Sequence, residues 1–247
     1  METVFPKILL PLKKDLEQVE QRMHQEMKLK AGHISQFINL QLHWWDRYLH
    51  PAVLILSGRM FGYTHPKMLY LACVVQFIHI ATGIHYREYD QRPGLPVLIG
   101  DYFYAKFFSY LCNVEALEWL PELAQVINDV HDAGIRETEN QESLSSNVDS
   151  YISLLKKQSS LLGTCSTFGV KATGSNTIYE TPLKTFGLNL GAALKLVKQK
   201  QHLPHARQLL SDAEKELSKL PDKTEKTILW GLLDACQEEL HQVCLAG

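Results

Sequence analysis

Apolar residues recur at three- and four-residue steps along most of this 247-residue chain, and this spacing constrains the fold more than any other feature. In the first segment the recurring residues are Leu9, Leu12, Leu16, Val19, Met23 and Met27. Such spacing puts them on one face of a helix. The segment therefore predicts an amphipathic helix that packs against the rest of the chain.

Similar spacing, together with start and stop residues, predicts helices over most of the remaining chain. Pro51 and Pro66 each suit the first turn of a helix, and Gly62 suits a helix end. The further helical stretches are Gly100–Cys112, Val114 to about Gly134, Leu144–Leu162, Pro182–Lys200, Pro204–Leu220 and Asp222–Val243. No segment reads convincingly as a strand. We expect an all-α, single-domain helical bundle of about ten helices spanning residues 1–247.

Charge and cysteine content exclude several classes of protein. The chain has 25 basic and 27 acidic side chains, so no net field draws it to nucleic acid or an anionic membrane. Its five cysteines form no CxxC pair, which is typical of reduced thiols rather than a zinc site. The longest apolar stretch, Met68–Ile84, is interrupted by polar residues and predicts a buried helix, not a membrane span. The start of the chain lacks a signal-peptide pattern, so we expect a cytoplasmic protein.

Three stretches, in this order and spacing, carry a resemblance to a known family. The first is Asp46-Arg47-Tyr48-Leu49-His50-Pro51. The second is a run ending in His85, followed by Tyr86-Arg87-Glu88-Tyr89-Asp90, then Arg92, Gly94 and the step Gly100-Asp101. The third is Phe186-Gly187-Leu188-Asn189-Leu190-Gly191-Ala192-Ala193-Leu194-Lys195-Leu196. Together they resemble motifs of the trans-polyprenyl diphosphate synthases, over roughly residues 35 to 235, and imply an isoprenoid-synthase-like helical fold.

The family's first aspartate motif, DDxxD, is degenerate in this chain. In the family these carboxylates lie one helical turn apart and hold Mg²⁺ ions that bridge the diphosphate of the allylic substrate. Here Tyr86 and Arg87 stand in place of the first two aspartates, and only Asp90 remains. One carboxylate beside a guanidinium does not assemble such a metal cluster.

The second aspartate motif has lost every carboxylate. In the family the helix that resembles Phe186–Leu196 continues into a second DDxxD. Counting forward puts Lys198, Gln199 and His202 at its three aspartate positions. The resemblance therefore implies no catalytic residue and no metal ligand at either motif, although the apolar scaffold of both helices is kept.

The positions that bind the second substrate's diphosphate in the family are altered as well. Arg47 and Pro51 match the family's GKRLRP motif, whereas Asp46 replaces the lysine and His50 the second arginine. Lys157 matches the lysine of a further family helix. The residues that remain as possible diphosphate contacts are Arg47, His50, Arg92 and Lys157. For Arg92, an ion pair with Asp90 at a helix end is the other interpretation.

The resemblance also predicts a shortened chain. After His202 the family has a long flap and a lysine-rich motif, while here residues that resemble the closing helices come directly after it. We expect the domain to be shortened at about residues 203–205.

These motifs imply a polyprenyl synthetase family member that is inactive alone. The first hypothesis is a non-catalytic or regulatory subunit of a heteromeric synthase, which makes the side chain of a menaquinone-type quinone with a catalytic subunit that alone holds Mg²⁺. The alternative is a homodimer that binds a prenyl diphosphate without metal and without turnover. A helical scaffold with no metabolic role is a third hypothesis. The loss of both aspartate motifs on retained helices favours the first.

Overall fold

The computed structural model describes residues 5–29, 32–34, 42–86, 94–139 and 147–246. Ten α-helices lie in these ranges: α1 (Lys13–Glu26), α2 (Trp44–Met60), α3 (Lys67–Tyr86), α4 (Leu95–Asn113), α5 (Leu120–Glu139), α6 (Val148–Gln158), α7 (Ser160–Thr173), α8 (Glu180–Gln199), α9 (Leu203–Ser218) and α10 (Thr224–Ala246). Short 3₁₀ helices cover Lys7–Leu12, Leu117–Trp119 and Thr177–Tyr179. The predicted all-α class and the predicted number of helices are confirmed.

The contacts divide the chain into two compact units. Unit 1 comprises Met1–Ile55 and Thr64–Ile127, and unit 2 comprises Leu56–Tyr63 and Asn128–Gly247. Helices α2 and α5 each begin in unit 1 and end in unit 2. The single domain and its shortening near residues 203–205 stay predictions.

Unit 1 is built around α1, α3 and α4. The predicted stripe of α1 is buried at Leu16, Val19 and Met23, and it packs on α3. The hydroxyl of Tyr110 on α4 donates to Glu26 Oε1 at 3.0 Å, and Lys106 forms an ion pair with the same carboxylate. An apolar stripe and a carboxylate at its end therefore hold α1 in place.

Helix α3 is long and apolar enough to cross a membrane by length and composition alone. Its segment Lys67–His85 has a mean hydropathy of 1.6, and 67% of that window is buried inside the fold. Side chains such as Phe77 and Ile78 are enclosed by the neighbouring helices. The core helix of a folded domain has these same properties.

In unit 2 the backbones of two helices approach closely because glycine lies at the contact. A Cβ atom on Gly169 of α7 would lie 1.9 Å from the carbonyl oxygen of Ser57 on α2. The amide of Gly169 donates to Ser57 Oγ at 2.9 Å, and Ser57 Oγ donates to the carbonyl of Ser166 at 2.6 Å. A hydrogen-bonded crossing of this kind leaves no room for a side chain at position 169.

The prediction that Pro51 opens a helix is wrong, because α2 begins seven residues earlier at Trp44 and runs through Pro51. Proline has no amide hydrogen, so the bond to the carbonyl four residues before it is lost. The side chains of Trp45, Leu49 and Leu56 are nevertheless buried along this helix. Burial of this apolar face outweighs the local cost of the proline.

The predicted helix Leu144–Leu162 is two helices in the described part of that range, α6 and α7, which meet at Ser159. The Ser159 hydroxyl donates to the carbonyl of Leu155 at 2.8 Å. A Cβ atom on Gly191 of α8 would lie 2.7 Å from this same hydroxyl oxygen. The break therefore lies at a close contact with α8, and tertiary packing overrides the local helix periodicity.

A short antiparallel pair of strands was also not predicted. Strands β1 (Lys28–Leu29) and β2 (Gly32–His33) pair Lys28 with His33 and Leu29 with Gly32. Strands of two residues are too short for an alternating pattern to show in the sequence.

Candidate functional site

The second-motif positions lie at and just beyond the last turn of α8, and the apolar pattern of α8 determines which of its side chains face the interior. Phe186, Leu190 and Leu194 bury one face of α8. Lys195 and Gln199 lie four residues apart and so project to one common side. Both point into a polar network within unit 2.

This network, named here the α8 network, consists of Glu137, Tyr151, Gln158, Lys195 and Gln199. The Lys195 ammonium donates to Gln158 Oε1 at 2.6 Å, and Gln158 Nε2 donates to Glu137 Oε2 at 2.6 Å. The Tyr151 hydroxyl lies 3.2 Å from Glu137 Oε1 and 2.8 Å from Gln199 Oε1. One hydroxyl proton serves one of these two acceptors at a time. The network thus joins α5, α6 and α8 without any metal-binding cluster.

Burial changes the acid–base properties of two members of the α8 network. It lowers the pKa of Lys195 to about 8, which the negative charge of Glu137 opposes and the positive charge of Lys198 reinforces. Burial, followed by the charge of Glu137, raises the pKa of Tyr151 to about 12. At neutral pH the network therefore holds an ammonium group whose protonated form is disfavoured by its surroundings.

The three second-motif residues do not share one helix face. Lys198 and Gln199 are both exposed at the end of α8, and Gln199 accepts a hydrogen bond within the α8 network. The backbone then turns left-handed at Lys200 (φ 56°) and His202 (φ 49°), so His202 precedes α9 instead of continuing α8. Its ring lies beside Tyr151, with centroids 5.8 Å apart. The periodic display of ligands that DDxxD needs is missing here.

Lys157, a predicted diphosphate contact, is engaged by carboxylates of its own unit. Its ammonium pairs with Asp132, and Asp129 Oδ1 lies 3.7 Å away. Hydrogen bonds from Lys157 and then from Arg136 lower the pKa of Asp132. The positive charge of Lys157 is thus compensated locally.

Arg47, the second predicted diphosphate contact, is compensated in the same way within unit 1. Its Nη1 donates to Glu20 Oε1 at 2.9 Å, and the Tyr48 hydroxyl reaches Glu20 Oε2 at 3.2 Å. Half-buried Asp46 lies 3.7 Å from His79 Nε2. The ring of His50, a third predicted contact, lies 4.2 Å from that of His79, between centroids.

The first-motif positions lie at and beyond the end of α3. Tyr86 is the last residue of α3, but its side chain and the whole of Arg87, Asp90 and Arg92 lie outside the described residues. Within the described ranges, no group of three or more histidine, cysteine, aspartate or glutamate side chains is arranged to hold a metal ion.

Replacing Tyr151 with phenylalanine tests the α8 network. The hydroxyl partners a carboxylate, so we expect the substitution to lower the free energy of unfolding by about 1.5–3 kcal/mol. Tyr104→Phe is the matched control, since the Tyr104 hydroxyl pairs with neutral Thr82 Oγ1 at 2.9 Å. That control should lose about 0.5–1.5 kcal/mol in the same denaturant titration. Equal losses in both variants would contradict a charged acceptor at Tyr151.

Comparison with known proteins shows which solved structures share this fold. No protein-family model matches the chain. Its fold is that of the all-helical isoprenoid synthases: a decaprenyl diphosphate synthase structure from Rhodobacter capsulatus matches with a TM-score of 0.77 at 18% identity, covering 93% of this chain and 97% of that one.

Relatives by sequence point to one family within this class. An octaprenyl diphosphate synthase of Haemophilus influenzae is 22% identical over 198 residues, 74% of this chain and 60% of that protein. Heptaprenyl diphosphate synthase component 2 of Bacillus subtilis is 22% identical over 201 residues, 75% of this chain and 58% of that protein. The chain thus spans about 60% of the length of such relatives. Its sequence is thus similar to those of trans-polyprenyl diphosphate synthases.

Sequence reasoning missed the α8 network, although two signals were present. Lys195 lies in the mostly apolar stretch Phe186–Leu196, where a charged residue is unusual. Gln199 lies one four-residue step further along the helix. The partners Glu137, Tyr151 and Gln158 are brought to them only by the tertiary fold.

Proposed function

We propose that this chain is a non-catalytic or regulatory subunit of a cytoplasmic, heteromeric trans-polyprenyl diphosphate synthase, which makes the side chain of a menaquinone-type quinone. The observation that carries the proposal is the end of α8. At the three second-motif positions stand an exposed lysine, a glutamine bound into the α8 network, and a histidine beyond the helix end.

The physical reason is that Mg²⁺ requires oxygen ligands, of which carboxylates are the strongest. Lys198 and the Lys195 ammonium bring positive charge to this end of α8, and positive charge repels a divalent cation. The described residues therefore do not fit the metal that the family uses. Chemistry at the allylic diphosphate falls to the partner subunit in this proposal.

The compensated cations favour this proposal over a homodimer that binds prenyl diphosphate without metal. Lys157 and Arg47 each face a carboxylate of the same unit, namely Asp132 and Glu20. A diphosphate would have to displace these carboxylates and would also meet their negative charge. The name of one relative, heptaprenyl diphosphate synthase component 2, indicates a synthase with more than one component and supports a heteromer.

The test measures chain elongation by the purified protein, alone and mixed with the complete polyprenyl synthase encoded nearest to it. With farnesyl diphosphate, labelled isopentenyl diphosphate and Mg²⁺, we expect no elongation by the chain alone and long-chain product only after mixing. The control is the same mixture in which the synthase carries asparagine in place of its motif aspartates, and it should be inactive. Elongation by the single chain would overturn the proposal.

Calorimetry distinguishes the homodimeric alternative. Titration of the chain with farnesyl diphosphate in the absence of Mg²⁺ should give no binding heat if the cations are compensated as described. Saturable binding by a stable homodimer would favour the alternative.

A further inference from the structure

Lys195 is a half-buried lysine that the proposed function does not use. It lies on the face of α8 that meets the end of α6, where its ammonium donates to Gln158 Oε1 at 2.6 Å. This partner is a neutral amide and not a carboxylate. An ammonium group that loses water contacts beside a neutral acceptor is costly. A lysine kept at such a position therefore points to a chemical role for its amine.

The titratable groups around this amine come from α5, α6, α8 and the turn before α9. Glu137 of α5 and Lys198 of α8 act on it through their charges. Tyr151 of α6 belongs to the same α8 network, and His202 lies beside the Tyr151 ring. With a pKa of about 8, about a quarter of Lys195 is neutral at pH 7.5, against about 0.1% for a lysine at the usual value of 10.5. The neutral form carries the lone pair that makes an amine a nucleophile.

Hydrogen bonds hold the amine in place and leave its lone pair available. Gln158 Oε1 accepts one N–H of Lys195, and Gln158 Nε2 is itself fixed by Glu137 Oε2 at 2.6 Å. A neutral amine has two N–H groups and one lone pair, so this contact uses a hydrogen and not the lone pair. The Gln158 side chain thereby orients the amine for attack on an electrophile.

The surroundings of the amine favour a small, uncharged electrophile. Gln199, one turn beyond Lys195, is exposed, so the α8 network reaches the surface at the end of the helix. The negative charge of Glu137 disfavours anionic reagents such as acyl phosphates. Partial burial disfavours any charged group that would lose its water contacts. An aldehyde is small and uncharged, and it reacts with a neutral amine with water as the only leaving group.

We propose that Lys195 is a covalent attachment site for aldehydes, which its amine binds as an imine. This inference is independent of the proposed function. It gives a chemical role to a side chain that the loss of the aspartate motifs does not explain.

The reaction at Lys195 needs no co-reactant. The nitrogen lone pair attacks the carbonyl carbon, the C–N bond forms, and the carbonyl oxygen takes up a proton. The oxygen then leaves as water while the C=N bond forms, and the two hydrogens lost by the amine balance those of the water. Loss of water is helped by a proton donor. The α8 network holds one in the Tyr151 hydroxyl, whose raised pKa of about 12 keeps it protonated at neutral pH.

Reductive trapping tests the site on the unmodified protein. The chain is incubated with propanal and cyanoborohydride at pH 7.5, which converts each imine into a stable propylamine, and mass spectrometry of peptides follows the labelling of each lysine. Lys184, exposed on the same helix, is the internal control. A less basic amine is a weaker nucleophile, which offsets part of the gain from its larger neutral fraction. We therefore expect labelling about 10-fold faster at Lys195 than at Lys184, and equal rates in denaturant.

The pH dependence of labelling is a readout that a purely structural lysine would not change. Relative to the control, labelling at Lys195 should decline above about pH 8, because its amine is by then mostly neutral and gains little more. The charge of Glu137 favours the ammonium form, so Glu137→Gln should move this decline to lower pH. Glu180→Gln is the matched control variant, since Glu180 Oε1 pairs with Lys171 at 3.6 Å. It should leave the pH profile unchanged.

Each outcome decides for or against the attachment site. Labelling at Lys195 no faster than at Lys184 in the folded chain overturns the inference, and this measurement holds whether or not the variants fold. Faster labelling that declines relative to the control above about pH 8 supports it. Faster labelling whose pH profile stays the same in a folded Glu137→Gln variant assigns the reactivity to exposure alone and also overturns it.

Discussion

Gly169→Ala is expected to destabilise the protein by about 3 kcal/mol or more, beyond the usual range for an added methyl group in a core. The new Cβ atom would lie 1.9 Å from the carbonyl oxygen of Ser57 and 2.5 Å from its carbonyl carbon. Both are backbone atoms, so the clash cannot be relieved by a change of rotamer. The two helices must separate, and the hydrogen bond from the Gly169 amide to Ser57 Oγ is lost with them.

Gly83→Ala is the matched control, because Gly83 also lies within a helix but its added Cβ atom would meet nothing within 4 Å. Alanine is the better helix former, so this variant should gain up to about 1 kcal/mol. For a chain of this size, thermal melts should show a fall of about 6–12 °C for Gly169→Ala and a small rise for Gly83→Ala. Equal melting temperatures in the two variants would contradict the close crossing of α2 and α7.

Lys195→Met is expected to stabilise the isolated chain at pH 7 by about 1–2 kcal/mol. The downward shift of the Lys195 pKa to about 8 means that the folded state disfavours the ammonium form, at a cost of up to about 3 kcal/mol. Methionine removes this cost and fills similar volume. Part of the gain is offset because Gln158 Oε1 loses its donor.

The pH dependence of the free energy of unfolding shows whether the Lys195 ammonium group causes this difference in stability. Below pH 8 both folded and unfolded states carry the proton, so the cost is fully present. Between pH 8 and the usual lysine pKa near 10.5 the folded state has lost the proton while the unfolded state keeps it, so stability rises with pH. Chemical denaturation should therefore show that the difference in free energy of unfolding between Lys195→Met and the unchanged protein shrinks as pH rises from 8 to 10.

The exposed lysine on the same helix provides the control for Lys195. Lys184→Met should leave both the stability at pH 7 and its pH dependence close to those of the unchanged protein, because Lys184 is exposed. The interpretation would be wrong if Lys195→Met were less stable than the unchanged protein and if the difference in free energy of unfolding stayed constant from pH 8 to 10.

Local patterns in the sequence predicted the helices well where a periodic apolar face coincides with burial. The stripe of α1 and the run Phe186–Leu194 of α8 are both buried as expected. Prediction failed where tertiary packing opposed a local rule. Pro51 lies within α2, and Ser159 divides α6 from α7 beside Gly191. Neither the continuation of α2 through Pro51 nor the break at Ser159 can be predicted from the neighbouring residues in the sequence.

For the candidate site, the sequence supplies the residues at the motif positions but not their partners. The identities of Lys198, Gln199 and His202 already excluded a carboxylate cluster. The compensation of Lys157 by Asp132 and of Arg47 by Glu20 was not predicted, since each pair spans more than 20 residues of sequence. Such pairs are set by which helices become neighbours, and one sequence by itself does not specify that.

The left-handed turn after α8 has a consequence for any attempt to introduce a second aspartate motif by mutation. Aspartates introduced at positions 198 and 199 would sit on the last turn of a helix, whereas one at 202 would come after a reversal of the backbone twist. The three carboxylates would point in divergent directions. Aspartates at these three positions would therefore not converge on one metal ion. A metal site at this end of α8 would require a different main-chain path, which point mutations at these three positions do not provide.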